Sequence, residues 1–302
     1  SPLPQTSQEG LQQQGVIFLS MSDGKHRHLF AYHPQFLALT RLTTGLWDDI
    51  QPAASYDGTR LGFASRQNGY WDIFLFDVAS GQQTRLTDTP QFDGSPTWSP
   101  DSQWLAYESY IDGHLQIIIR SLANPTQEPL QLTSTPGENY SPNWSPLGRE
   151  IAFVSTRGGS EDIWVARLDR VDDRFINLTS TSTGRNRYPR WSPDGRYLAW
   201  ASDTPGISTI YIWDSQAPES APKAIGNGDL PVWRPDGKAL LAEIRSPNQT
   251  SLGAYNITDG SLVFPANSMP AALHGMDWRS GQAAQALARL KLPASAQQPA
   301  AA

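Results

Sequence analysis

The sequence predicts a single six-bladed β-propeller, an all-β fold of four-stranded antiparallel blades, and three observations support this prediction. A tryptophan-centred segment recurs along the chain at a nearly constant interval. Tight-turn motifs and short apolar runs separate the copies, and 24 Gly and 24 Pro among 302 residues favour turns and short strands over long helices. The two ends of the chain carry complementary parts of one blade. Together these features predict one closed ring.

The repeat joins a Pro-x-Trp sequence to a tight turn of the Ser-Pro-Asp-Gly type and then to an apolar strand. Four copies occupy residues 95–107, 141–153, 188–200 and 230–242, a weaker copy occupies 51–63, and a fragment lies at 275–281. We call the Trp of each copy, or its equivalent, the anchor residue. The anchors are Ala54, Trp98, Trp144, Trp191, Trp233 and Trp278, with spacings of 44, 46, 47, 42 and 45 residues. That is the period of a four-stranded propeller blade.

Each repeat can be divided into four strands. The first ends at the anchor, whose large flat side chain is suited to filling the gap between neighbouring blades. The turn follows because Pro presets φ, Asp bonds to its own backbone and Gly tolerates positive φ. The second strand is apolar on both faces, and residues 198–200 are one example. Residues 163–165 are an example of the third strand. A short polar fourth strand is predicted at 41–43, 85–87, 131–133 and 177–179.

The two ends of the chain are expected to close the ring. Residues 16–43 carry a second, third and fourth strand but no anchor, whereas residues 276–278 carry a first strand with nothing after it. Pairing them completes the sixth blade and leaves no open sheet edge around the circle. The predicted organisation is therefore a Pro/Gln-rich segment over 1–15, the propeller over 16–280, and an Ala/Pro/Gln-rich tail or linker over 281–302.

Composition and motifs exclude several classes of function. A net charge of −6 lacks the basic footprint of a nucleic-acid-binding protein. The absence of Cys excludes disulfides, a thiol nucleophile, Cys-ligated zinc and iron–sulfur clusters. No apolar run approaches the ~20 residues that span a bilayer. No nucleophile elbow, phosphate loop or His-Glu-x-x-His motif occurs. We therefore predict no catalytic residue, no cofactor and no resident metal.

The combination Pro-x-Trp-Ser-Pro-Asp-Gly, a Leu-Ala-Phe-like strand and Arg-Leu-Thr resembles the six-bladed propeller repeats of the TolB family. The resemblance covers residues 16–280. It implies a non-catalytic module that binds a protein or peptide partner in the bacterial cell envelope, in the periplasm or outside the cell. Since the chain begins with Ser1 rather than Met, a removed signal peptide is expected. TolB carries an α/β domain before its propeller, and coupling through such a domain is not expected here.

Similar blades also occur in the regulatory propellers of prolyl-oligopeptidase-like enzymes. The alternative is therefore an accessory propeller of a larger secreted hydrolase, of the peptidase type, whose catalytic domain lies outside this chain. A third hypothesis is a propeller enzyme that acts on a sugar or lactone with a bound metal. The oligomeric state stays open.

The candidate binding site is the channel mouth, where the loops that join consecutive blades vary while their flanks repeat. Ten residues are predicted to bind the partner: Asp48, Asp49, Asp93, Glu138, Asn139, Arg185, Asn186, Arg187, Asp229 and His274. Five carboxylates against two arginines and one histidine favour a cationic or amide-rich partner, such as a peptide. Two other interpretations stay open. These residues could be ordinary solvated loop residues, with the arginines in internal ion pairs, or the carboxylates could hold a Ca²⁺ ion.

Overall fold

The structure, a computed structural model, describes residues 9–10, 13–280 and 287. Within these residues, 24 β strands form six four-stranded antiparallel sheets, which confirms the predicted fold class. Most of the predicted N-terminal segment, 1–15, and nearly all of the predicted tail, 281–302, lie outside the described residues. No described helix is both long and apolar enough to cross a membrane.

The sheets are named as blades 1 to 6 in order around the ring. Blade 1 contains β1 (Val16–Asp23), β2 (His26–His33), β3 (Leu37–Arg41) and β24 (Leu273–Arg279). Blade 2 contains β4 (Asp49–Ala54), β5 (Arg60–Ser65), β6 (Asp72–Asp77) and β7 (Gln83–Arg85). Blade 3 contains β8 (Asp93–Trp98), β9 (Trp104–Ile111), β10 (His114–Ser121) and β11 (Leu130–Gln131).

The remaining blades follow the same order from the inner to the outer strand. Blade 4 contains β12 (Asn139–Trp144), β13 (Glu150–Ser155), β14 (Asp162–Arg167) and β15 (Phe175–Asn177). Blade 5 contains β16 (Arg185–Trp191), β17 (Tyr197–Thr204), β18 (Ile207–Asp214) and β19 (Lys223–Asn227). Blade 6 contains β20 (Asp229–Trp233), β21 (Ala239–Ser246), β22 (Gln249–Asn256) and β23 (Leu262–Met269).

The two chain ends close the ring as predicted. β24 pairs antiparallel with β1, with Ile17 opposite Trp278. The indole Nε1 of Trp278 also donates to the carbonyl of Gln14 at 2.8 Å. Because the last strand in sequence is the innermost strand of blade 1, the hydrogen bonds of that sheet join the two ends of the propeller and leave no unpaired edge around the circle.

Six separate hydrophobic clusters hold the blades together, and an anchor residue belongs to each of them. Trp98 is the most buried tryptophan anchor at 1% exposure, and it packs with Ile73 of blade 2 and Leu105 of blade 3. Its Nε1 donates to the carbonyl of Ala53 at 2.9 Å. The large aromatic surface thus supplies packing between blades while its polar atom is satisfied.

The fourth strands end earlier than the sequence predicted. Strands β3, β7, β11 and β15 stop at the first residue of each predicted triplet, and the following Leu-Thr pair lies beyond the strand. The reason is a repeated hydrogen bond, in which a third-strand N–H donates to the hydroxyl of the buried Thr at 2.9 to 3.0 Å. The Thr residues are Thr43, Thr87, Thr133 and Thr179. This bond turns the chain out of the outer edge and toward the centre of the next blade.

Every inner strand contains a bulge at the same place. The residue three positions before each anchor has a positive φ, and the pairing register shifts around it. These residues are Gln51 (56°), Ser95 (48°), Ser141 (50°), Tyr188 (56°), Leu230 (49°) and Gly275 (130°). A left-handed non-Gly residue costs about 1–3 kcal/mol, so the surrounding sheet must impose it. At Gly275 a Cβ would lie 2.7 Å from the Cα of Gln51, which requires glycine there.

Candidate functional site at the channel mouth

The inner strands of the six blades surround a central cavity of about 350 Å³. The positive-φ residues and the prolines that follow them supply much of its wall. The lining residues are Ile50, Gln51, Pro52, Ser95, Pro96, Ser141, Pro142, Tyr188, Arg190, Leu230, Arg245, Ala272, Leu273, His274 and Gly275. The bulges thus place equivalent residues from all six blades around one channel, which a smooth strand would not do at this position.

The ten predicted binding residues fall into two groups that differ by position in the repeat. Four of them stand five residues before an anchor, and all four are buried at 0 or 1% exposure. We call these four the buried ring: Asp49, Asp93, Asn139 and Asn186. The other six stand four or six residues before an anchor and reach the surface to some extent. We call these six the mouth ring: Asp48, Glu138, Arg185, Arg187, Asp229 and His274.

Asn139 shows what the buried ring does. Its amide nitrogen donates to Gln116 Oε1 at 3.1 Å, to the carbonyl of Gly137 at 3.2 Å and to Thr135 Oγ1 at 3.3 Å. Its amide oxygen accepts from Ser155 Oγ and from Arg157, both at 2.8 Å. One side chain therefore ties the loop before β12 to blades 3 and 4.

The two acids of the buried ring lack such a full set of partners. Neither carboxylate oxygen of Asp49 has a hydrogen-bond partner in good geometry among the described residues, and burial raises the pKa of Asp49 to about 6. One oxygen of Asp93 accepts from Thr89 Oγ1 at 3.0 Å, and the other has no partner in good geometry within the described part of the chain. Burial raises the pKa of Asp93 as well. Both groups stabilise the fold best when they are protonated.

The structure thus corrects four of the ten predicted binding residues. Asp49, Asp93, Asn139 and Asn186 lie beneath the loops, where a buried side chain offers no surface to a partner. A signal for this was present in the repeat, since an Asp or Asn five residues before the anchor recurs in four consecutive blades. A position that recurs with the fold is structural, whereas residues that differ from blade to blade are free to serve recognition.

Two carboxylates of the mouth ring fasten neighbouring blades to each other. Asp48 accepts from the backbone N–H of Arg27 at 2.9 Å and lies 3.6 Å from Nδ1 of His26. Glu138 makes the equivalent contacts between blades 4 and 3, and it accepts from the N–H of Leu115 at 2.7 Å. Its other oxygen lies 3.1 Å from the histidine that begins β10. Each carboxylate therefore binds the start of the third strand in the preceding blade.

The arginines of the mouth ring also have internal partners. Arg185 lies 3.3 Å from Glu161 and 3.7 Å from Asp203, and Arg187 lies 3.1 Å from Asp203. The interpretation that the arginines pair internally is therefore correct for both. Their pairing leaves contact with a partner possible, because the Arg185 side chain keeps 62% of its surface exposed.

Of the mouth ring, only His274 is among the residues that line the cavity, and Asp229 immediately precedes the lining residue Leu230. Asp229 accepts from the N–H of Leu230 at 3.0 Å. His274 lines the cavity, with its Nε2 3.5 Å from the hydroxyl of Ser22, and burial lowers its pKa. The structure therefore places His274 on the cavity wall. Whether any of the six contacts a partner stays a prediction.

Two cavity residues and one residue that joins distant blades were missed from the sequence. Arg190 and Arg245 line the cavity. The hydroxyl of Tyr56, in blade 2, donates to the carbonyl of Trp144 in blade 4 at 3.4 Å. The guanidinium of Arg279 stacks on the Tyr56 ring at 4.2 Å. The available signals were small. Arg190 is the variable residue of one Pro-x-Trp unit, and Tyr56 replaces the Pro of one Ser-Pro-Asp-Gly turn.

The charge of the cavity wall differs from the expected one. Among its lining residues are two arginines and a histidine but no carboxylate. The described residues also contain no group of three or more His, Asp or Glu side chains that could hold a metal ion. Asp49 and Asp93 are buried, and Asp48 and Glu138 bind the neighbouring blade, so none of these four acids lines the cavity.

The comparisons with known proteins agree with this architecture. The model of the TolB beta propeller domain matches residues 94–268, more than half of the chain. The chain belongs to the TolB β-propeller family. The crystal structure of TolB from Acinetobacter baumannii superposes with a TM-score of 0.75 at 19% identity, covering 88% of this TolB-family chain and 66% of that one. At that identity the likeness shows the fold alone.

Similarity in sequence to curated relatives is confined to short stretches. The Tol-Pal system protein TolB of Desulfosudis oleivorans is 36% identical over 64 residues, which are 21% of this TolB-family chain and 15% of that protein. An uncharacterized protein of Agrobacterium fabrum is 29% identical over 79 residues, 26% of each chain. The matched regions thus cover about a quarter or less of these relatives.

Proposed function

We propose that this TolB-family propeller is a non-catalytic protein-binding module of the bacterial cell envelope, and that it captures its partner through the mouth ring. One observation carries the proposal. The mouth ring consists of side chains that differ in charge from blade to blade and are at least partly exposed, whereas the rest of the blade repeats. Variable polar groups held by a rigid frame suit recognition. Membership of the TolB family supports an envelope location, and a relative is named for the Tol-Pal system.

The ion pairs at the rim support preorganisation of such a surface. Each mouth-ring carboxylate that fastens a neighbouring blade is held by a backbone N–H, so its position is fixed before a partner arrives. Groups that are already ordered lose less conformational entropy on binding. The side chains of Glu138 and Asp229 are partly exposed, and their carboxylates can accept further hydrogen bonds from Lys, Arg or backbone amides of a peptide.

The test is affinity capture from an envelope extract of the source cells. The doubly reversed variant Glu138→Lys/Asp229→Lys is compared with a control, Asp169→Lys/Asp172→Lys. The control changes the same charge in the exposed β14–β15 loop at the opposite face of the ring. We expect a partner, identified by mass spectrometry, that wild type and the control retain and the mouth variant loses by at least about tenfold, or about 1.4 kcal/mol.

Equal capture by all three proteins would contradict a role for the mouth. That result would favour the alternative of an accessory propeller in a larger hydrolase, for which the mouth charges serve solubility. Melting temperatures of the three proteins must agree within a few degrees, so that loss of capture is not confused with unfolding.

A further inference from the structure

The central cavity contains a cation that no described carboxylate neutralises by direct contact. Arg190 lines the cavity wall one residue before the anchor of blade 5, and no ion pair within 4.0 Å joins it to any described acid. Among the described residues, the only hydrogen bond of its guanidinium is to the carbonyl of Pro189, at the long distance of 3.5 Å. A guanidinium offers five donors in a planar fork, so most of its hydrogen-bonding capacity is unused.

The nearest acid is already committed to other groups. Asp277 accepts from the N–H of Ala54 at 2.7 Å and from the N–H of Trp278 at 3.0 Å, and it lies 3.4 Å from Nε of Arg279. Arg190 and Arg279 therefore share one carboxylate between two guanidiniums, and Arg279 is the one in contact. Burial lowers the pKa of Arg190, because water solvates it poorly there.

The other charged groups around the channel do not supply the missing negative charge. Arg245 also lines the cavity and pairs with the buried Glu243 at 2.7 Å, so that pair is neutral. Glu108 accepts from the N–H of Ser141 beside the wall, and burial raises its pKa to about 7. Burial thus favours the neutral form of this carboxyl.

We propose that the central channel is a binding site for a small oxyanion, a carboxylate or phosphate group, with Arg190 as its principal counter-ion. The guanidinium of Arg190 has unused donors at the cavity wall, and an oxyanion could accept two parallel N–H bonds from it. The cavity of about 350 Å³ falls within the usual size of ligand pockets. Arg245 and His274 add cationic or donor groups on the wall, and Ser141 adds a hydroxyl.

This site shares His274 with the mouth ring, but its principal residue, Arg190, does not belong to that ring. The two proposals can fail independently, because the variants that test capture leave Arg190 in place. Anion binding needs no macromolecular partner, so it can be measured with purified protein alone.

Isothermal titration with succinate and with inorganic phosphate, at pH 7 and low ionic strength, tests the proposal. Succinate probes carboxylates and phosphate probes phosphoryl groups, so the two titrations separate the possible sources of the oxyanion. We expect saturable binding of at least one anion with a stoichiometry of one. The Arg190→Gln variant should weaken it at least tenfold, and raised NaCl should weaken it further.

The matched control is Arg149→Gln, which removes one exposed positive charge from the turn between β12 and β13. It should bind as wild type does. Arg190→Lys keeps the positive charge but loses the planar guanidinium, so its affinity for the anion should fall between those of wild type and Arg190→Gln. If Arg190→Gln does not fold, a lower affinity of Arg190→Lys than of wild type provides the test. Failure of wild type to bind either anion saturably, or an equal loss in Arg149→Gln, would overturn the proposal.

Discussion

The buried ring and the mouth ring are neighbours in sequence and opposites in structure. Asp48 and Asp49 are consecutive, as are Glu138 and Asn139, yet the first of each pair reaches the rim and the second is fully buried. The direction of the side chain alternates along a strand, so a shift of one residue transfers a side chain from solvent to the interior. Polarity alone therefore says little about function at a blade entrance.

The largest effect should come from removing the best-connected member of the buried ring. Asn139→Ala deletes five hydrogen bonds and leaves the guanidinium of Arg157 and the amide of Gln116 without this partner. We expect the free energy of unfolding to fall by about 3 kcal/mol, since buried unsatisfied polar groups cost about 1–3 kcal/mol each. Urea denaturation measures the change, and a loss no greater than that of Glu138→Ala would contradict the distinction between the rings.

A pH-dependent effect should come next, at Asp49. Burial raises its folded-state pKa to about 6 from 3.8, so the folded protein holds a proton that the unfolded chain releases between these values. This contribution to stability is complete below about pH 4 and is lost as the pH rises through 6. Asp49→Asn should therefore stabilise the protein at pH 8 by about 3 kcal/mol, with little change at pH 4.

The reverse exchange in blade 5 sharpens this test. Asn186→Asp introduces an acid at the equivalent buried position, where the amide nitrogen now donates to the carbonyls of Glu161 and Gly184. Its stability should decrease from pH 4 to pH 8, as measured by melting temperature across that range. Parallel pH profiles for wild type and both variants would show that ring position does not control the titration.

The smallest effect should come from the mouth ring. Glu138 keeps 38% of its side chain exposed, and its contact with His114 is screened by water. Glu138→Gln should lower the free energy of unfolding by less than about 1 kcal/mol, as for other surface ion pairs. Thermal denaturation at low and high salt measures it. A loss as large as that of Asn139→Ala would mean that the fastening of blades 3 and 4 depends on the rim.

Much of the architecture could be predicted because its signals are local and repeated. The spacing of Trp98, Trp144, Trp191 and Trp233 determined the blade count, and the partial repeats at the two ends determined how the ring closes. The fourth strands were extended too far, since the hydroxyl of Thr87 bonds to Ile73, a partner fourteen residues away along the chain. No propensity within a short segment reports such a contact.

The sequence by itself determined the fold, the period and the set of loops that gather at one mouth, because periodic apolar patterns and turn residues act over a few positions. Only the tertiary structure decided which polar residues at that mouth are buried and which are exposed. It also decided the charge of the channel, since Asp277 and Arg279 of blade 1 act electrostatically on Arg190 of blade 5 without contacting it. Burial and charge pairing depend on residues brought together from blades far apart in the chain, and no single repeat contains that information.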